Sequence, residues 1–568
     1  MTAESVTGGQ LVVDTLRTLG VEYVFGVPGG QTLAITDAML GCPDLRFVAT
    51  RHEGAAACMA DAVGRLTARP GVCLATTGPG ATNLLTGVGG AYRDSSPVIV
   101  LTCNNNLRDV ERDDAQAANH VDIFRSLTKR AMFVGDASAI RQQLEEAYLI
   151  ATTGCPGPVL VDFARNALES SVVRPTEASS PRNSDFLDPS RSLADPARVE
   201  RAALLLSEAA SPVIWLGNGA VRSGASQAVL KLADRLDAPV ITTFTAIGAV
   251  PTHHPLVFGP KSRMGTALSS AVLAGADVLV AIGNSLNGVS TSRWSITLPD
   301  TIIQIDTEPA QLGRYYAART VGLLGDASGV VGQLEEALGR HPSASGAVSG
   351  RRARLAALTT ERDRWREHLG EAESRPGVIA PDRLVMVMRE VAPDDTILVV
   401  DAGNPGVWTH LWEVRESGEY LKPVGFGNMG FALPAAIAAK LLRPSAPVLA
   451  LIGDGSMAMT MGELETLARE GVAPCVVVMN DSSYGNIRQE QLMKYGDRTI
   501  GVDFRDVDFA AIAGACGVPG VRVDTEEGLR NAIRDAFASG RPAVIDARID
   551  RDLSVWTYPP FVGHELEA

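Results

Sequence analysis

Short runs of apolar residues alternate with longer helical stretches along the whole chain. The runs are rich in Val, Ile and Leu, and many of them end in Gly. Such runs are typical of strands in parallel sheets whose two faces are both covered by helices. They predict four strands in each third of the chain, within VEYVFGVPGG, VCLATTGPG, PVIVLTC and PVLVDFA, then PVIWLGNGA, PVITTF, DVLVAIGNS and TIIQIDTE, then DTILVVDAG, PVLALIGDG, CVVVMND and PAVIDARI. We therefore expect an α/β protein made of three successive doubly wound parallel-sheet domains.

Two stretches without hydrophobic periodicity separate these thirds. Residues 173–191 are rich in Pro and Ser, and residues 341–350 are rich in Gly and Ser, a composition typical of linkers. The charged segment RRARLAALTTERDRWREHL, which follows the second stretch, is predicted to be helical. The domains are accordingly predicted at 1–185, 186–345 and 346–568, and the last of them includes the linker helix.

Composition and charge narrow the classes of function. The 568 residues include 51 Lys and Arg against 65 Asp and Glu, and the net charge of −14 disfavours binding to nucleic acid phosphates. The seven Cys are an odd number without a C-x-x-C pair, so we expect free thiols in a reducing compartment. Neither a secretory signal nor an apolar stretch long enough to span a membrane is visible. These features predict a cytoplasmic protein.

The most informative motif follows a predicted strand in the last third of the chain. Gly453-Asp454-Gly455 forms a tight turn there, and Asn480-Asp481 follows the next predicted strand. Oxygen-bearing side chains at the carboxyl ends of neighbouring strands lie close together and can hold one hard cation. On its own, a GDG tripeptide is more often an ordinary turn between a strand and a helix.

The spacing of these two groups resembles the thiamine diphosphate and magnesium motif, in which GDG precedes a pair of Asn. Here 24 residues separate them, and Asp481 replaces the second Asn, at a metal-ligating position where a carboxylate can also serve. The resemblance implies that Mg²⁺ is bound by the side chains of Asp454 and Asp481 and by the Ser483 carbonyl. It also implies diphosphate contacts from the N–H groups of Gly455 and Ser456.

Glu53, within RHEGAAACMADAVGRL, is a second match in the first third of the chain. An acid in the first turn of a helix is by itself explained by the helix dipole. In the thiamine diphosphate enzymes, RHE-x-x-A supplies the Glu that hydrogen-bonds the aminopyrimidine ring and promotes loss of the coenzyme's C2 proton. TTGPGATN and GFGNMGFALPAAIA are further likenesses. The resemblance also implies coenzyme contacts from Gly427, Met429, Asn404 and Tyr484.

The motifs together cover nearly the whole chain, which is identified as a member of the acetolactate synthase-like thiamine diphosphate enzymes. This branch includes carboligases, benzaldehyde lyase-like enzymes and 2-oxo acid decarboxylases. The resemblance implies a pyrimidine-binding domain, a central nucleotide-binding-like domain and a diphosphate-binding domain, in that order. It also implies a homodimer or homotetramer in which Glu53 of one chain and Asp454 of another serve the same coenzyme.

The residues that face the thiazolium ring in this branch decide which reaction follows. Gln116 matches a Gln that the synthases and lyases of this branch share. Without the resemblance, a position on the surface of a helix would explain this residue equally well. Gly30 matches a Gly that leaves room above the ring, and Gln31 stands where benzaldehyde lyase-like enzymes have a His. Thr76 and Thr77 occupy the region of the pocket His of simple decarboxylases. Because the pocket His, a proton donor of the simple decarboxylases, is absent, the sequence favours carboligation.

Three departures weaken the likeness to true acetohydroxyacid synthases. Glu490 replaces the Trp that shapes the second-substrate pocket, Ala115 replaces a Phe, and GNSLNGV replaces the segment whose Arg receives the second substrate's carboxylate. Losing that charge-assisted contact, worth about 1.5–3 kcal/mol, predicts an acceptor other than a second 2-oxo acid, such as an aldehyde. A Glu490 isolated in the cavity would favour a cationic or hydroxylated acceptor, and a solvated helix charge is an equally good explanation.

These observations predict a thiamine diphosphate-dependent carboligase that decarboxylates a small 2-oxo acid, preferably pyruvate, and transfers the two-carbon unit to a carbonyl acceptor. The alternatives are a 2-oxo acid decarboxylase or benzaldehyde lyase-like aldehyde lyase, and a catalytically silent regulatory homologue. FAD in the central domain is doubtful for two reasons. The segment GNSLNGV lacks the Arg that the synthases have at this place. Arg222 replaces the third Gly of a dinucleotide fingerprint that begins at Gly217. Neither a nucleic acid nor a membrane is an expected partner.

Overall fold

The computed structural model of the protein describes residues 4–110, 112–174, 191–262, 265–416 and 420–561. The predicted domain boundary near residue 185 lies outside these ranges. The boundary predicted at 345 coincides with the start of the helix Ser345–Glu367, and both boundaries remain predictions. Within the described ranges, no helix is long and apolar enough to cross a membrane.

The N-terminal sheet has six parallel strands, and apolar cores lie against both of its faces. In spatial order the strands are Arg46–Ala49, Tyr23–Gly26, Gly71–Ala75, Val98–Asn104, Pro158–Ala164 and Arg130–Val134. The helices of this part are Gly8–Thr18, Leu33–Met39, Glu53–Thr67, Pro79–Asn83, Leu85–Arg93, His120–Phe124, Ile140–Thr152 and Arg165–Glu169. An antiparallel pair, Ser5–Thr7 with Ser171–Val173, ties the first described residues to the end of this part.

The C-terminal sheet repeats the strand order of the N-terminal sheet. Its six parallel strands are, in spatial order, Tyr420–Leu421, Ile397–Val400, Val448–Gly453, Cys475–Asn480, Ala543–Arg548 and Gly520–Val523. Numbered along the chain, both sheets have the order 2-1-3-4-6-5. The helices are Pro381–Val391, Asn404–Trp408, Ala432–Leu442, Asp454–Thr460, Glu463–Glu470, Gly485–Tyr495, Phe509–Ala515 and Glu526–Ser539.

The central sheet has a different order, 3-2-1-4-5-6, which is that of dinucleotide-binding domains. Its parallel strands are, in spatial order, Val257–Pro260, Val240–Thr242, Pro212–Leu216, Val278–Ile282, Thr301–Asp306 and Thr320–Leu324. The helices are Pro196–Glu208, Asn218–Arg222, Ser226–Leu236, Ala267–Ala274, Ala327–Arg340 and Ser345–Glu367. Three parallel sheets of this kind confirm the predicted α/β architecture.

The strands that the sequence pattern predicts are the four inner strands of each sheet, and all of them are present. The pattern misses both edge strands of every sheet. Inner strands such as Val98–Asn104 are buried along their whole length, so they need continuous apolar runs. Edge strands such as Arg46–Ala49 and Gly520–Val523 are partly exposed and carry Arg, which removes the apolar signal.

The linker predicted at residues 341–350 is only partly correct, because residues 345–350 already belong to the helix Ser345–Glu367. The guanidinium of Arg351 is buried against the end of the helix Pro196–Glu208. It donates hydrogen bonds to the carbonyl oxygens of Leu206 (2.7 Å) and Ala209 (2.6 Å), which the helix end leaves without partners of its own. This anchor favours helix where composition alone predicts a flexible segment.

The three sheets meet around Asp94, a buried residue at the end of the helix Leu85–Arg93. Its carboxylate accepts hydrogen bonds from the N–H groups of Val424 (2.9 Å) and Gly425 (2.7 Å) and from Arg65. Its carbonyl oxygen accepts hydrogen bonds from Asn218 and Arg222 of the central part. The N-terminal and C-terminal parts also share one apolar core, in which the helix Glu53–Thr67 packs against Ala432–Leu442.

Candidate active site

The GDG turn lies at the carboxyl end of the strand Val448–Gly453, where the C-terminal sheet reverses its strand order. Ligands of doubly wound sheets bind at such a reversal. Asp454 begins the next helix and is buried. Its Oδ1 accepts a hydrogen bond from the Gly455 N–H (2.7 Å), and its Oδ2 accepts one from the Ser483 N–H (3.1 Å). The carboxylate is thereby held in one orientation.

Asp481 lies beside Asp454 and shares its hydrogen-bond donor. Oδ1 of Asp481 accepts a hydrogen bond from the same Ser483 N–H, at 2.9 Å, and the residue is also buried. Burial, with the neighbouring charge of Asp481, raises the pKa of Asp454 to about 7, and burial also raises the pKa of Asp481. A divalent cation between the two carboxylates would keep both of them ionised.

The donor chemistry of this turn fits Mg²⁺. Among the described residues there is no group of three or more His, Cys, Asp or Glu side chains that could hold a metal ion by themselves. Mg²⁺ characteristically takes one or two carboxylates and completes its octahedron with waters and the phosphates of a ligand. The pair Asp454 and Asp481, with the nearby Ser483 backbone, supplies a protein part of that kind.

Asn480 does not join the two carboxylates but fastens the loop that carries one of them. Its Nδ2 donates to the carbonyl of Val507 (3.0 Å) and to Asp546 (2.8 Å), and its Oδ1 accepts from the Ser482 N–H. Ser482 has a positive φ of 55°, and its carbonyl accepts the N–H of Phe504. The loop is therefore fixed on both sides of Asp481.

A narrow cradle surrounds Gly455. A Cβ atom at this position would lie 2.6 Å from the Tyr484 ring and 3.1 Å from the Met429 methyl group, so only glycine fits. A Cβ at Gly485 would likewise overlap Asp481 and approach Asn404 Nδ2 to 2.9 Å. The structure thus brings Asn404, Met429, Tyr484 and the GDG turn together from separate sequence motifs, and their contacts with a coenzyme remain predictions.

Asp401 connects three segments of this cradle. It is fully buried, and it accepts hydrogen bonds from the N–H groups of Gly430 (3.0 Å) and Ala432 (2.9 Å) and from the Ser456 hydroxyl (2.8 Å). Gly427, in the same GFGNMG segment, has a positive φ of 67°. The Ser456 side chain is therefore engaged with Asp401, and this role of Asp401 was not predicted from the sequence.

Glu53 begins the helix Glu53–Thr67 and is 8% exposed. Its Oε2 accepts a hydrogen bond from Nδ2 of Asn83 (2.9 Å), so the TTGPGATN segment touches the predicted Glu. Glu463 of the C-terminal part accepts the backbone N–H groups of Arg51 (2.9 Å) and His52 (3.1 Å), directly before Glu53. Glu463 was not predicted from the sequence, because no local pattern shows that it reaches a turn in the first third of the chain.

At the carboxyl edge of the N-terminal sheet, Gly30 and Gln31 lie in a short 3₁₀ helix, Gly30–Thr32, and Gln116 lies in a turn. The Gln31 side chain accepts a hydrogen bond from the Thr76 hydroxyl (2.8 Å) and donates one to Asn105 (3.3 Å). Gly30 and Gln116 are exposed, and the space above Gly30 is open. No hydrogen bond or ion pair of the described residues joins these three residues, or Glu53, to Asp454 or Asp481 of the same chain.

Glu490 lies on the helix Gly485–Tyr495 that follows the cradle. Lys494 Nζ is 3.3 Å from its Oε2, so the expectation of an isolated charge is wrong. The ion pair joins residues one helical turn apart.

The central sheet has a cavity of about 710 Å³ at its own reversal of strand order. Gly217, Gly219 and Asp306 line it, and burial raises the pKa of Asp306 to about 6. Arg222, which replaces the third Gly of the fingerprint, also lines the cavity and donates a hydrogen bond to the Asp94 carbonyl (3.0 Å). The cavity is therefore lined in part by Asp94, the residue that contacts all three parts of the chain.

Comparison with known proteins gives matches over most of the chain. Residues 6–123, 199–334 and 401–547 match the N-terminal TPP binding domain, the central domain and the C-terminal TPP binding domain of the thiamine pyrophosphate enzymes. The probable acetolactate synthase large subunit of Methanocaldococcus jannaschii is 31% identical, over 97% of this chain and 93% of that protein. The acetolactate synthase of Mycobacterium bovis is 32% identical over 97% and 90%, and the acetolactate synthase large subunit of Corynebacterium glutamicum is 31% identical over 97% and 88%. The chain therefore belongs to the thiamine pyrophosphate (thiamine diphosphate) enzyme family and is an enzyme of the acetolactate synthase type.

Proposed function

We propose that this enzyme is a carboligase that decarboxylates a small 2-oxo acid, pyruvate by preference, and joins the two-carbon unit to a carbonyl acceptor. The observation that carries the proposal is the convergence of Asp454 and Asp481 on one N–H group beside the Gly455 cradle. This supports binding of a metal-held diphosphate at the edge of the C-terminal sheet. The relatives named acetolactate synthase support the reaction class.

The coenzyme and its metal would be held by the residues grouped around the GDG turn. In this proposal Asp454, Asp481 and the Ser483 carbonyl bind Mg²⁺, and the N–H groups of Gly455 and Ser456 bind the diphosphate. The other predicted contacts come from Asn404, Gly427, Met429 and Tyr484. When bound, thiamine diphosphate supplies the electron sink that makes decarboxylation of a 2-oxo acid possible.

Glu53 would handle the proton that starts the reaction. A carboxylate beside the aminopyrimidine ring holds a proton at the ring nitrogen and so favours the reactive form of the coenzyme. The hydrogen bond from Asn83 orients the carboxylate, and the Glu463 contacts to Arg51 and His52 fix the turn before it. Both arrangements support a positioned acid–base group rather than a solvated helix charge.

The acceptor would be bound by neutral side chains. Gln31 and Gln116 offer amides, and Gly30 leaves open space at the same edge of the N-terminal sheet. The segment GNSLNGV has no Arg to pair with a carboxylate, which supports an aldehyde or another uncharged carbonyl compound as acceptor.

The active site would be completed by a second copy of the chain. Gly30 and Gln116 are exposed in a single chain, and no bond joins them to the carboxylates of the GDG turn among the described residues. This supports a homodimer or homotetramer with the site at the interface. The name "large subunit" of some relatives also suggests a smaller partner subunit. A cytoplasmic location, and the doubt about FAD, remain predictions.

A product screen by mass spectrometry tests the proposed function. The purified protein, thiamine diphosphate and Mg²⁺ are incubated with ¹³C-labelled pyruvate, alone and with a panel of aldehydes and 2-oxo acids. A product that contains the labelled two-carbon unit and the acceptor carbons is expected. Free acetaldehyde alone would favour a decarboxylase, and coenzyme binding without consumption of any donor would favour a silent homologue.

A further inference from the structure

A buried His–Asp pair lies behind the substrate-facing edge of the N-terminal sheet. His120 is fully buried, and its Nδ1 lies 2.9 Å from Oδ1 of Asp162, in the second half of the strand Pro158–Ala164. Thr102 and Asn104, on the neighbouring strand, donate further hydrogen bonds to the two oxygens of Asp162, at 2.7 and 3.0 Å. Neither member of this pair has a role in the proposed coenzyme chemistry.

The hydrogen bonds of His120 determine which ring nitrogen carries the proton. The Gly78 N–H points at Nε2 from 3.0 Å, and since a backbone N–H only donates, Nε2 is the bare acceptor nitrogen. The proton is then on Nδ1 and is donated to the Asp162 carboxylate. His120 is therefore a neutral imidazole, held by Asp162, whose Nε2 accepts the hydrogen bond of the Gly78 N–H.

That backbone group belongs to a turn that only glycine can form. Gly78 has φ 64° and ψ −111°, and a Cβ there would lie 2.5 Å from the carbonyl oxygen of Gln116. Thr77, one residue earlier, donates its hydroxyl to the same carbonyl at 3.2 Å and lies 3.4 Å from His120 Nε2. The turn held by His120 thus packs directly against Gln116.

Gln116 itself has an unusual backbone conformation, with φ 60°. Non-glycine residues at positive φ persist only when their surroundings hold them there. Asn105 donates to the carbonyl of Ala115, and Asn104 donates to the carbonyl of Ala118, both at 3.2 Å. The contacts of Gly78, Thr77 and Asn104 therefore lead from this segment back to the Asp162–His120 pair, whereas Asn105 joins it to Gln31.

We propose that the Asp162–His120 pair is a positioning element that fixes Gln116 toward the substrate by holding the Gly78 turn. His120 touches neither substrate nor coenzyme in this arrangement and acts only through Gln116. The proposal deepens the proposed function, because it rests on Gln116 contacting the donor or acceptor.

Two substitutions at His120 separate its two hydrogen bonds, the one that Nδ1 donates to Asp162 and the one that Nε2 accepts from Gly78. His120→Asn keeps an N–H donor near Asp162 but has no atom that reaches Gly78, whereas the Oε1 of His120→Gln can accept the Gly78 N–H. For His120→Asn we expect kcat/KM for the donor to fall by about tenfold or more, since small misplacements of a substrate-binding group are costly. Its affinity for thiamine diphosphate with Mg²⁺ should stay within about twofold, and His120→Gln should recover most of the activity.

A double-mutant cycle with Gln116→Ala tests whether the effect passes through Gln116. If it does, adding His120→Asn to Gln116→Ala changes kcat/KM by less than about twofold, whereas independent effects multiply. Val159→Ala, a buried apolar substitution on the same strand as Asp162, is the matched control for lost stability and should leave kcat/KM near the wild-type value. Multiplying effects, or equal losses in His120→Asn and His120→Gln, would overturn the proposal.

Amide hydrogen exchange keeps the test independent of the proposed reaction. Residues 112–119 should exchange faster in His120→Asn than in the wild type, while residues 140–152 of a neighbouring helix should be unchanged. Unchanged protection of 112–119 would refute the positioning role even if the enzyme is active. If no donor is consumed by the wild type, the proposed function fails, and the exchange result still decides whether the pair holds the Gln116 loop.

Discussion

The N-terminal and C-terminal sheets have the same strand order but opposite chemistry at the edge where ligands bind. The C-terminal edge has three buried carboxylates, those of Asp401, Asp454 and Asp481. The corresponding N-terminal edge presents mainly amides and hydroxyls, such as Gln31, Thr76 and Asn105 in the network around Gln31. The same strand order therefore carries two different kinds of binding edge. The residues that follow the strands, and not the order of the strands, determine the chemistry of each edge.

This difference between the two edges also indicates which of their residues can be substituted and which cannot. Buried carboxylates require N–H donors or a cation, so each substitution at the C-terminal edge leaves a costly unpaired group. The neutral side chains of the N-terminal edge, of which Asn105 is buried and Gln31 and Thr76 are half-buried, carry no charge that must be paired and can be exchanged at smaller cost. We infer that the coenzyme half of the site tolerates little change, whereas the substrate half can be adapted to different acceptors.

The largest expected effect is at the carboxylate pair of the C-terminal edge. Asp454→Ala should lower the Mg²⁺-dependent affinity for thiamine diphosphate by more than about 100-fold, because changing even an outer partner of a metal ligand typically costs 10–100-fold. Isothermal titration with the coenzyme in the presence of Mg²⁺ measures this change. Asp535→Ala, at an exposed acid of the helix Glu526–Ser539, is the control. Unchanged affinity in Asp454→Ala would refute the metal assignment.

Glu53→Gln tests the one N-terminal carboxylate that is assigned to the coenzyme. We expect kcat to fall by about 10²–10⁴-fold, the usual contribution of a positioned acid or base, while coenzyme affinity stays nearly constant. Steady-state kinetics and coenzyme titration on the same preparation separate the two quantities. Glu22→Gln, at an exposed position, should retain full turnover. An active Glu53→Gln enzyme would remove Glu53 from the proposed mechanism.

A pair of stability measurements compares the two edges directly. In Asp401→Asn the new amide N–H₂ replaces one of the two carboxylate oxygens and so faces the N–H of either Gly430 or Ala432, and the free energy of unfolding should fall by about 1–3 kcal/mol. Thr76→Val removes one hydroxyl at the N-terminal edge and should cost about 1 kcal/mol or less. Urea unfolding curves give both values. A larger loss at Thr76 would contradict the proposed difference between the edges.

The smallest effect is expected at Glu490, which is paired with Lys494. Glu490→Gln should change the ratio of kcat/KM for a hydroxylated and an apolar aldehyde by about two- to fivefold, because an ion pair open to solvent is worth at most about 1 kcal/mol. Competition between the two aldehydes, followed by product analysis, measures that ratio. Lys494→Gln is the matched control: if it shifts the ratio as much, the ion pair and not Glu490 alone sets the preference.

The sequence predicted the inner strands and the separate motifs, and it failed where contacts join distant segments. Apolar runs identify strands buried on both faces, so the exposed edge strands were missed. The GDG turn, Asp481 and Glu53 could be predicted as candidate site residues because each lies in a local pattern. Glu463 and the pair of Asp162 and His120 lie in no such pattern, since their partners are far away in the chain.

The shared core of the two outer parts has a consequence for how the protein loses its structure on heating. One continuous set of apolar residues includes Phe25 and Ala57 of the N-terminal part and Phe431 and Ile437 of the C-terminal part. The cores of the central part draw on residues of that part and its linker helix alone. We therefore expect the outer parts to melt together as one cooperative unit, although the whole central part separates them along the chain, and the central part to be able to melt in a transition of its own.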